Sequence, residues 1–574
     1  MSMAGLRRET LFLAAAALLA AFTYLYGLDD FGIPTNGDEG VYIHIARITA
    51  GSGHWLPLAS DVQRVRNTKP PLLFWQAIAS TAGGTEWTLW RVRLPNALYT
   101  LATAALLLAL LRRLTGQWHS AVLGAVVYLA FYDTYRYGRP FLTDAPETFW
   151  LALPGVAVLW TRGALLESRL LAPLLFGLAL GVACLYKSFA LILPFGLMLA
   201  GWHWVRHGER ARDWLGFALP QLAVSAVVAL AIFTLWPLLD PDPGAVWRDF
   251  VVKENVGNKF GSGGGVLSYM QAFFLGGESV PGLFGQFLAN AGLLAPILIA
   301  LLIHAWRARR SLSQEERLLW VWVLAYFVAF SIPSQRSGRY LLPAMPAVAV
   351  LATLAWPRLH RAGFLVTVVL AITVALVFAV LAFLIVQQAG PDLAMPLAYW
   401  LALSGVVALG LASLVRPRLA ATTAPALPVA LLLAMGLSLT VYASPPGPYS
   451  AATRALLKGQ PVFVPCDYLA NEESDRFMLP GADVRSYSAR DALTPDELAG
   501  RYRFFAAYVP LDETPRCEGC RVLDARYVIR SRHTTELAGK TSAATLLRES
   551  FQREVLFESQ RAPQQTPAPF EACE

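Results

Sequence analysis

Charged residues are scarce in this sequence. Asp, Glu, Lys and Arg make up 15% of its 574 residues, whereas hydrophobic residues make up 56%. The mean hydropathy of +0.47 shows the same imbalance. Because soluble domains carry about 25% charged residues, this composition excludes an ordinary soluble protein and predicts a polytopic membrane protein.

Cysteine is also rare, with five residues in the chain. Cys184 lies in an apolar run and is expected to serve packing, while Cys466, Cys517, Cys520 and Cys573 lie in the polar C-terminal part. An even number permits disulfides if that part is extracytoplasmic. The Cys517-Glu-Gly-Cys520 spacing resembles half of a zinc site or a redox pair, but no second such motif and no nearby histidine accompanies it. Structural disulfides or free thiols are favoured, and their pairing stays open.

The apolar residues form runs that are long enough to cross a bilayer. About 20 helical residues cross roughly 30 Å of hydrocarbon, and such runs recur between residues 10 and 444. We predict thirteen membrane-spanning helices, at about residues 10–27, 92–111, 118–133, 142–161, 170–186, 189–205, 214–237, 285–305, 318–333, 341–356, 363–387, 397–414 and 425–443. The sequence after residue 444 contains no such run. A membrane domain, residues 1–444, and a soluble domain, residues 445–574, are therefore predicted.

The net charge of +8 follows from basic residues in short connectors between the apolar runs, such as Arg112 and Arg113. This pattern is typical of membrane topology and argues against a nucleic-acid partner. The positive-inside rule places these connectors and the N-terminus in the cytoplasm. Thirteen spans that start inside then place the long connectors, residues 28–91 and 238–284, and the C-terminal domain outside.

The first apolar run, preceded by Arg7 and Arg8, has two interpretations. Its Ala-rich core offers small-residue sites for cleavage, as a secretory signal peptide does. A multi-span body follows it, however, and an uncleaved first helix directs the topology equally well. We expect an uncleaved helix.

Ionisable residues are nearly absent from the centres of the predicted spans. A transporter or ion pump usually carries such residues at mid-membrane, and many transporters are built from inverted repeats, which this sequence does not show. Its acidic and basic residues instead occur at the external ends of spans and in external loops. This distribution favours chemistry at the outer membrane face, with a lipid or sugar transporter or flippase as the alternative class.

Two acidic motifs lie on that face. Gly37-Asp38-Glu39 follows a turn that contains Gly and Pro, and it opens a predicted helix. Carboxylates are favoured at helix starts without any further role. Asp144 lies just inside an apolar span, where an aspartate is costly unless it is paired. A salt bridge to Arg139 is the simplest explanation for it.

Several cations lie on the same face. Lys69 precedes Pro-Pro and an amphipathic aromatic stretch, and Lys187 interrupts an apolar hairpin at its outer tip. A snorkelling side chain explains either lysine at low cost. The later external segments contribute Lys253, Lys259, Arg336 and Arg339. Acids and cations that gather around one amphipathic surface predict an active site there.

The order of these motifs resembles that of the GT-C glycosyltransferases. The motifs are Gly-Asp38-Glu39, Lys69-Pro-Pro, Thr-Asp144, Lys187 and Arg339-Tyr340-Leu-Leu-Pro. They are most similar to the superfamily of protein O-mannosyltransferases and aminoarabinose-lipid A transferases, and the resemblance covers the whole membrane domain. It implies an all-α polytopic GT-C fold with an extracytoplasmic α/β domain, in the inner membrane of a bacterium.

The resemblance also implies an inverting enzyme that transfers a sugar from a polyprenyl phosphate, such as undecaprenyl phosphate, to an acceptor outside the cytoplasm. A glycolipid such as lipid A or lipopolysaccharide is the expected acceptor, and a secreted protein or a cell-wall polysaccharide is the alternative. Asp38 is implied as the general base for a hydroxyl acceptor. Glu39 is implied to position the loop or the sugar, and Asp144 to orient the acceptor or the donor sugar.

The departing polyprenyl phosphate carries a negative charge that protein cations must stabilise. The resemblance assigns this role to Lys69, Arg339 and Tyr340, with Lys187 and Lys259 in support. The lipid tail is expected in a groove between spans that is open to the bilayer.

The chain departs from the aminoarabinose transferases at two places. That group has a Glu-Lys-Pro motif where this chain has Thr68-Lys69-Pro70, and a His-containing segment where this chain has residues 255–260. Both departures remove candidate metal ligands, so we predict no bound metal and no other cofactor. They also leave open which sugar is transferred and which acceptor receives it.

The predicted C-terminal domain has an α/β pattern. Gln460-Pro-Val-Phe-Val-Pro and Tyr502-Arg-Phe-Phe-Ala-Ala-Tyr-Val are typical of strands, and Thr494-Pro-Asp-Glu is typical of a helix start. This domain is expected either to help gather the acceptor or to act as a passive cover.

Overall fold

The structure is a computed structural model of the chain. The ranges that it describes are residues 3–31, 33, 37–60, 67–208, 211–257, 266–443, 449–466, 472–488, 493–510, 513–529 and 551–561. They form a helical body, up to residue 443, and a C-terminal region that contains a five-stranded sheet. This architecture confirms the predicted all-α polytopic fold with a C-terminal α/β part. The division into two domains at residue 444 stays a prediction.

The first half of the helical body contains the elements that carry the first-loop and hairpin motifs. In chain order its helices are α1 (Met3–Leu25), α2 (Asp38–Gly51), α3 (Leu72–Ser80), α4 (Leu89–Thr115), α5 (Trp118–Ala130), α6 (Tyr132–Gly138), α7 (Asp144–Trp160), α8 (Leu171–Tyr186), α9 (Ile192–His207), α10 (Ala211–Leu239), α11 (Pro243–Val246) and α12 (Trp247–Gly257). The last of these has π-helical hydrogen bonding. As predicted, the Asp38-Glu39 pair opens a helix.

The second half of the body continues with longer apolar helices. They are α13 (Val266–Phe274), α14 (Val280–Asn290), α15 (Ala295–Ala308), α16 (Gln314–Ser331), α17 (Met345–Ala355), α18 (Arg361–Ala389), α19 (Leu397–Val415), α20 (Ala420–Thr423) and α21 (Ala426–Ala443). Short 3₁₀ helices lie between some of them, and one of these, Gly338–Ala344, leads directly into α17.

Each of the thirteen predicted spans coincides with helical structure. By length and apolar composition, seven helices in the described ranges can cross a membrane, or eight if the helices on either side of the 105° bend after Asn290 form one span. Three further apolar helices, α5, α8 and α21, are shorter. The chain is therefore a multi-pass membrane protein.

Local sequence signals explain where the helices begin and end. At the start of α4 the Thr88 hydroxyl accepts a hydrogen bond from the Arg91 backbone N–H at 3.2 Å, which satisfies one of the unpaired donors of a helix N-terminus. Gly116, with a φ of 71°, ends the same helix, because glycine adopts this left-handed conformation without strain. Arg112 and Arg113 lie in its last turn, where cations are favoured.

The body is packed most closely where small residues face a neighbouring helix. A Cβ atom added to Gly177 of α8 would lie 2.6 Å from the Cβ of Val228 in α10. Gly181, one turn later, faces Ile232 in the same way at 2.8 Å. Small residues at such positions let two membrane helices approach closely. This contact packs α8, the helix that Lys187 follows, closely against α10.

The C-terminal region contains a mixed sheet. Its strands are β1 (Pro461–Cys466), β2 (Asp483–Ser488), β3 (Phe504–Pro510), β4 (Cys520–Ile529) and β5 (Phe551–Ser559), in the spatial order β2-β1-β3-β5-β4. β1 pairs in parallel with β2 and β3, and β5 pairs antiparallel with β3 and β4. Its helices are α22 (Ala451–Leu457), α23 (Glu472–Met478) and α24 (Pro495–Arg501). Strands β1 and β3 and the capping box at Thr494 confirm the predicted elements.

The cysteines of this region favour the disulfide interpretation. Cys517 and Cys520 are bonded to each other, and Cys466 is also disulfide-bonded. Cys184 is buried in the helical body as a free thiol. Cys573 lies outside the described residues.

Aromatic side chains join the C-terminal region to the helical body. Phe477 of α23 and Tyr527 of β4 pack against the core of the body. Phe31, in the loop before α2, packs against both that core and the core of the sheet. The sheet therefore lies against the loop that leads into α2.

Candidate active site

Ends of several helices enclose a cavity of about 790 Å³, which we call the site cavity. Its polar lining comes from the start of α2, the segment before α3, the end of α8, α12 and the 3₁₀ helix before α17. Five of the eight predicted site residues line it, namely Asp38, Lys69, Lys187, Arg339 and Tyr340. Motifs from distant parts of the chain thus meet at one place.

Arg339 connects the two predicted aspartates. Its Nη1 lies 2.8 Å from Asp38 Oδ2. Its Nε donates to Asp144 Oδ1 at 3.0 Å and its Nη2 to Asp144 Oδ2 at 2.7 Å, in the two-pronged geometry that arginine and a carboxylate form best. The side chain of Asp38 is 42% exposed and that of Asp144 is 2% exposed. A ligand in the cavity can therefore reach Asp38, whereas Asp144 is enclosed by its partners.

Lys187 supplies a second cation to Asp144. Its Nζ lies 3.0 Å from Asp144 Oδ1 and 2.8 Å from Glu147 Oε2, and the Glu147 contact lacks hydrogen-bond geometry. The simple salt bridge that we considered between Asp144 and Arg139 does not form. The Arg139 guanidinium instead donates to the backbone carbonyls of Tyr24 and Tyr26.

Lys69 is held on the opposite side of the site cavity by α12. Its Nζ lies 3.1 Å from Glu254 Oε1 and donates to its neighbour's carbonyl, Thr68 O, at 2.8 Å. The side chains of Lys69 and Glu254 are 17% and 26% exposed. The pair is therefore open to exchange with a ligand in the cavity.

Tyr340 and Ser188 complete the polar wall. The Tyr340 ring lies beside Lys187, with Nζ 5.6 Å from the ring centroid. Ser188 Oγ donates to Asn255 Oδ1 at 2.6 Å, and the Asn255 amide donates to Phe250 O at 2.8 Å. These contacts join the end of α8 to α12, so the two elements that carry Lys187 and Glu254 are fixed relative to each other.

An apolar groove of about 660 Å³ adjoins the site cavity. It lies between α9 and α10 and is lined by apolar residues alone, including Gly196 and Leu222. Ala190 and Leu193 line both the groove and the cavity, so the two lie side by side. A cationic cavity beside an apolar groove can hold an amphiphile with an anionic head.

The chain is similar to two groups of glycosyltransferases. The family model for dolichyl-phosphate-mannose-protein mannosyltransferase matches residues 39–240. An undecaprenyl phosphate-α-4-amino-4-deoxy-L-arabinose arabinosyl transferase of Proteus mirabilis is 27% identical over 353 residues, which cover 58% of each chain. One of Pseudomonas fluorescens is 28% identical over 345 residues, which cover 59% of this chain and 57% of that protein.

The fold comparison covers nearly the whole chain. The crystal structure of ArnT from Cupriavidus metallidurans in the apo state superposes with a TM-score of 0.62 at 18% sequence identity, over 97% of this chain and 99% of that one. The same protein bound to undecaprenyl phosphate superposes with a TM-score of 0.60. The chain is thus similar to glycosyltransferases of the ArnT and O-mannosyltransferase superfamily and has the fold of ArnT. The chain spans somewhat less than two thirds of the length of the curated relatives it matches.

Two of the predicted site residues that the structure describes, Glu39 and Asp144, do not line the site cavity. Glu39 is buried and does not line the cavity. Its carboxylate accepts hydrogen bonds from Arg93 Nε and Nη2 at 2.8 and 2.9 Å and from the Phe141 backbone N–H at 2.7 Å. These contacts fit the expectation that Glu39 positions the loop, and they keep it away from a ligand. Lys259 lies outside the described residues.

Sequence reasoning missed two carboxylates of this site. Glu147 follows Asp144 by three residues on α7, and that spacing places both on one helix face, so it was open to prediction. No sequence signal marked Glu254, because its partner Lys69 is 185 residues away. With them the site has four carboxylates, those of Asp38, Asp144, Glu147 and Glu254, and each cation that lines the cavity contacts at least one of them. Within the described ranges no three or more His, Cys, Asp or Glu residues form a group that could hold a metal.

Proposed function

We propose that this chain is an inverting glycosyltransferase that moves a sugar from a polyprenyl phosphate to an acceptor at the outer face of the bacterial inner membrane. One observation carries the proposal: two carboxylates, Asp38 and Glu254, and three cations line a cavity that adjoins an apolar groove. A polyprenyl phosphate sugar has the matching parts, which are a sugar, a phosphate and a hydrocarbon tail. The relatives named for an undecaprenyl phosphate donor, and the fold neighbour bound to undecaprenyl phosphate, support the same donor class.

Asp38 is the proposed general base. Its carboxylate is accessible from the cavity, so an acceptor hydroxyl can reach it. The carboxylate takes the hydroxyl proton while the hydroxyl oxygen attacks the anomeric carbon from the side opposite the phosphate. The bond between that carbon and the phosphate oxygen breaks, and its electron pair leaves with polyprenyl phosphate. One such displacement inverts the anomeric configuration.

Lys69, Lys187 and Arg339 are proposed to stabilise the charge that develops on the leaving phosphate, with the Tyr340 hydroxyl as a further donor. In the described structure these cations contact carboxylates, so an arriving phosphate replaces some of those contacts. Asp144 contacts Arg339 and Lys187 and is enclosed by them. We therefore assign it to the orientation of the two cations rather than to direct contact with the sugar.

The acceptor that we propose is a glycolipid of the lipid A or lipopolysaccharide type. If the lipid part of the donor occupies the groove between α9 and α10, an acceptor held in the same leaflet needs no route through the protein. We place the N-terminus in the cytoplasm and the C-terminal region outside, as the basic connectors indicate. The sugar itself stays open.

The donor class can be tested on the purified protein. After gentle extraction, mass spectrometry should find polyprenyl phosphate or its glycosylated form bound to the wild type and depleted in Lys69→Ala. Incubation with undecaprenyl phosphate sugars and lipid A should then give a glycosylated lipid. Absence of both bound lipid and transfer, together with lipid or sugar movement across proteoliposomes, would instead favour the transporter interpretation.

Glu254→Gln is expected to tighten the binding of undecaprenyl phosphate by about two- to fivefold, the range for a partly exposed ion pair. The substitution removes the carboxylate that competes with phosphate for Lys69. Isothermal titration of the detergent-solubilised protein with undecaprenyl phosphate measures this effect. Glu278→Gln is the matched control, since Glu278 is exposed and does not line the cavity. Unchanged or weaker binding in Glu254→Gln would contradict the competition.

Gly196→Leu is expected to weaken binding of undecaprenyl phosphate by about tenfold, while binding of farnesyl phosphate stays near the wild-type value. The leucine side chain would fill part of the groove that the longer lipid tail needs, and burial of that much apolar surface contributes about 1.5–3 kcal/mol to binding. A Cβ atom at Gly196 would lie 3.8 Å from Leu222 Cδ2, an ordinary contact, so the fold should tolerate it. Competition binding with the two lipids measures the ratio. Gly216→Leu on the exposed face of α10 is the control, and equal losses for both lipids would place the tail elsewhere.

A further inference from the structure

The helix that begins with Asp38 is held at its other end by the C-terminal region. His44 and Arg47 of α2 both contact Glu473 of α23. His44 Nδ1 donates to Glu473 Oε1 at 3.0 Å, and Arg47 Nε donates to Glu473 Oε2 at 2.8 Å. Arg476, on α23 itself, contacts the same carboxylate. We call these four residues the Glu473 cluster.

The Glu473 cluster is buried between the two parts of the chain. The side chains of His44 and Glu473 are 0% and 2% exposed. The Arg47 guanidinium lies between the rings of Trp87 and Phe477, at 4.8 and 4.9 Å from their centroids. Trp87 belongs to the helical body and Phe477 to α23, so Arg47 is fixed by packing as well as by charge.

The charge of Glu473 is retained despite this burial. Burial raises the pKa of the Glu473 carboxyl, but the hydrogen bond from His44 and the charges of Arg476 and Arg47 outweigh it and lower the pKa to about 2. A buried carboxylate of this kind depends on its partners, because removing them leaves an uncompensated charge. The helices α2 and α23 therefore favour one relative position, the one in which Glu473 keeps its partners.

A second set of contacts holds the loop before α2 from the membrane side. Arg93 of α4 pairs with Glu39 and also donates to the carbonyls of Leu28 and Asp30 at 3.0 and 2.6 Å. With its start held by Arg93 and its later turns held by Glu473, α2 has contacts on both sides. Residues 38 and 44–47 lie on one continuous helix, which rises about 1.5 Å per residue. A displacement near residues 44–47 is therefore passed to residue 38.

We propose that Glu473 is a positioning residue for the transfer reaction: from the C-terminal region it holds α2 so that Asp38 stays in reach of the acceptor hydroxyl. The role rests on the proposed function of Asp38. It makes the C-terminal region part of the active machinery rather than a passive cover. An acceptor that displaces this region would change the rate of transfer without touching the donor.

Hydrogen–deuterium exchange of the full-length protein tests the positional part without any substrate. In Glu473→Gln, backbone exchange of residues 38–51 should rise by about tenfold or more, as for a segment that loses its tertiary contacts. Glu558→Gln is the matched control, since Glu558 also lies in the C-terminal region and pairs with Arg503 and Arg521. Wild-type exchange in α2 of Glu473→Gln would overturn the proposal.

Steady-state kinetics tests the catalytic part. In Glu473→Gln, kcat should fall by about tenfold, because small misplacements of a catalytic group are costly, while KM for the donor stays within about twofold. Glu473→Asp, which keeps the charge, should recover most of the lost kcat. A parallel loss of donor affinity, or an equal loss of kcat in Glu558→Gln, would show a general structural effect and overturn the role.

Arg47→Gln gives the same test from the side of α2 if Glu473→Gln does not yield folded protein. It should raise exchange in residues 38–51 and lower kcat in the same way, and wild-type values for both would overturn the proposal. The exchange result is independent of the proposed function. If the wild type transfers no sugar but exchange in α2 rises in the variant as expected, the proposed function is wrong and the contact between α2 and α23 is confirmed. If the wild type transfers sugar but exchange in α2 does not rise in the variant, only the positioning role is wrong.

Discussion

Asp38→Asn is expected to lower the rate of sugar transfer by about 100- to 10,000-fold, the usual contribution of a general base. An amide cannot take up the proton of the acceptor hydroxyl. Its size is almost unchanged, and Arg339 keeps its two hydrogen bonds to the Asp144 carboxylate, so the cavity should keep its shape. Binding of undecaprenyl phosphate should therefore stay near the wild-type value. Single-turnover transfer and equilibrium binding, measured on the same preparation, separate the two effects.

Asp29→Asn is the matched control for this experiment. Asp29 lies in the same loop, is exposed and does not line the site cavity, so its substitution should leave the transfer rate within about twofold, as for most surface changes. Transfer by Asp38→Asn at a rate similar to that of Asp29→Asn would exclude Asp38 as the base. A loss of donor binding as large as the loss of transfer would assign Asp38 to the donor site instead.

Arg339→Met is expected to abolish transfer and to lower the free energy of unfolding by about 3–5 kcal/mol, the cost of removing one partner from a buried ion pair. Arg339 is 12% exposed and contacts both Asp38 and Asp144. Without it the buried Asp144 carboxylate keeps only Lys187 as a described cationic partner. Thermal unfolding in detergent and a transfer assay normalised to folded protein measure the two losses.

Arg339→Lys separates the two roles, because lysine keeps the charge and loses the planar, two-pronged geometry. We expect a folded protein whose transfer rate per molecule is at least tenfold lower, since one transition-state contact contributes this much or more. Arg336→Lys is the control: Arg336 is even more buried than Arg339, but its guanidinium donates to backbone carbonyls such as Ser331 O and Ala272 O. That variant should lose stability and keep its rate per folded molecule. Full transfer by Arg339→Lys would remove Arg339 from the phosphate site.

The membrane fold was predictable because its signals are local. An apolar run long enough to cross the bilayer must form a helix, since no water is present to satisfy its backbone groups. Each predicted span accordingly coincides with helical structure, and the Thr88 cap and Gly116 mark the ends of α4. Strands β1 and β3 were predictable for a similar reason, since both are short hydrophobic runs between turn signals.

For the candidate site, the sequence predicted five of the residues that line the cavity but not their contacts with one another. Asp38, Lys69, Lys187, Arg339 and Tyr340 were identified by the order of motifs that the chain shares with a known superfamily, and all five line one cavity. Their roles in transfer stay predictions. The order of motifs did not show that the cations contact carboxylates. The local sequence suggested Arg139 as the partner of Asp144, where the structure has Arg339 and Lys187.

The sequence by itself determined the apolar helices, two strands of the C-terminal region, β1 and β3, and the face of the membrane on which we expect the polar residues to gather, because each depends on the chemistry of a few neighbouring residues. Tertiary structure alone decided the pairings: Lys69 with Glu254 across 185 residues, Arg339 with Asp38 across 301, and Glu473 with His44 across 429. A buried charge takes whichever opposite charge packing brings within about 3 Å. No local pattern records that choice, since it is made by the contacts of whole helices.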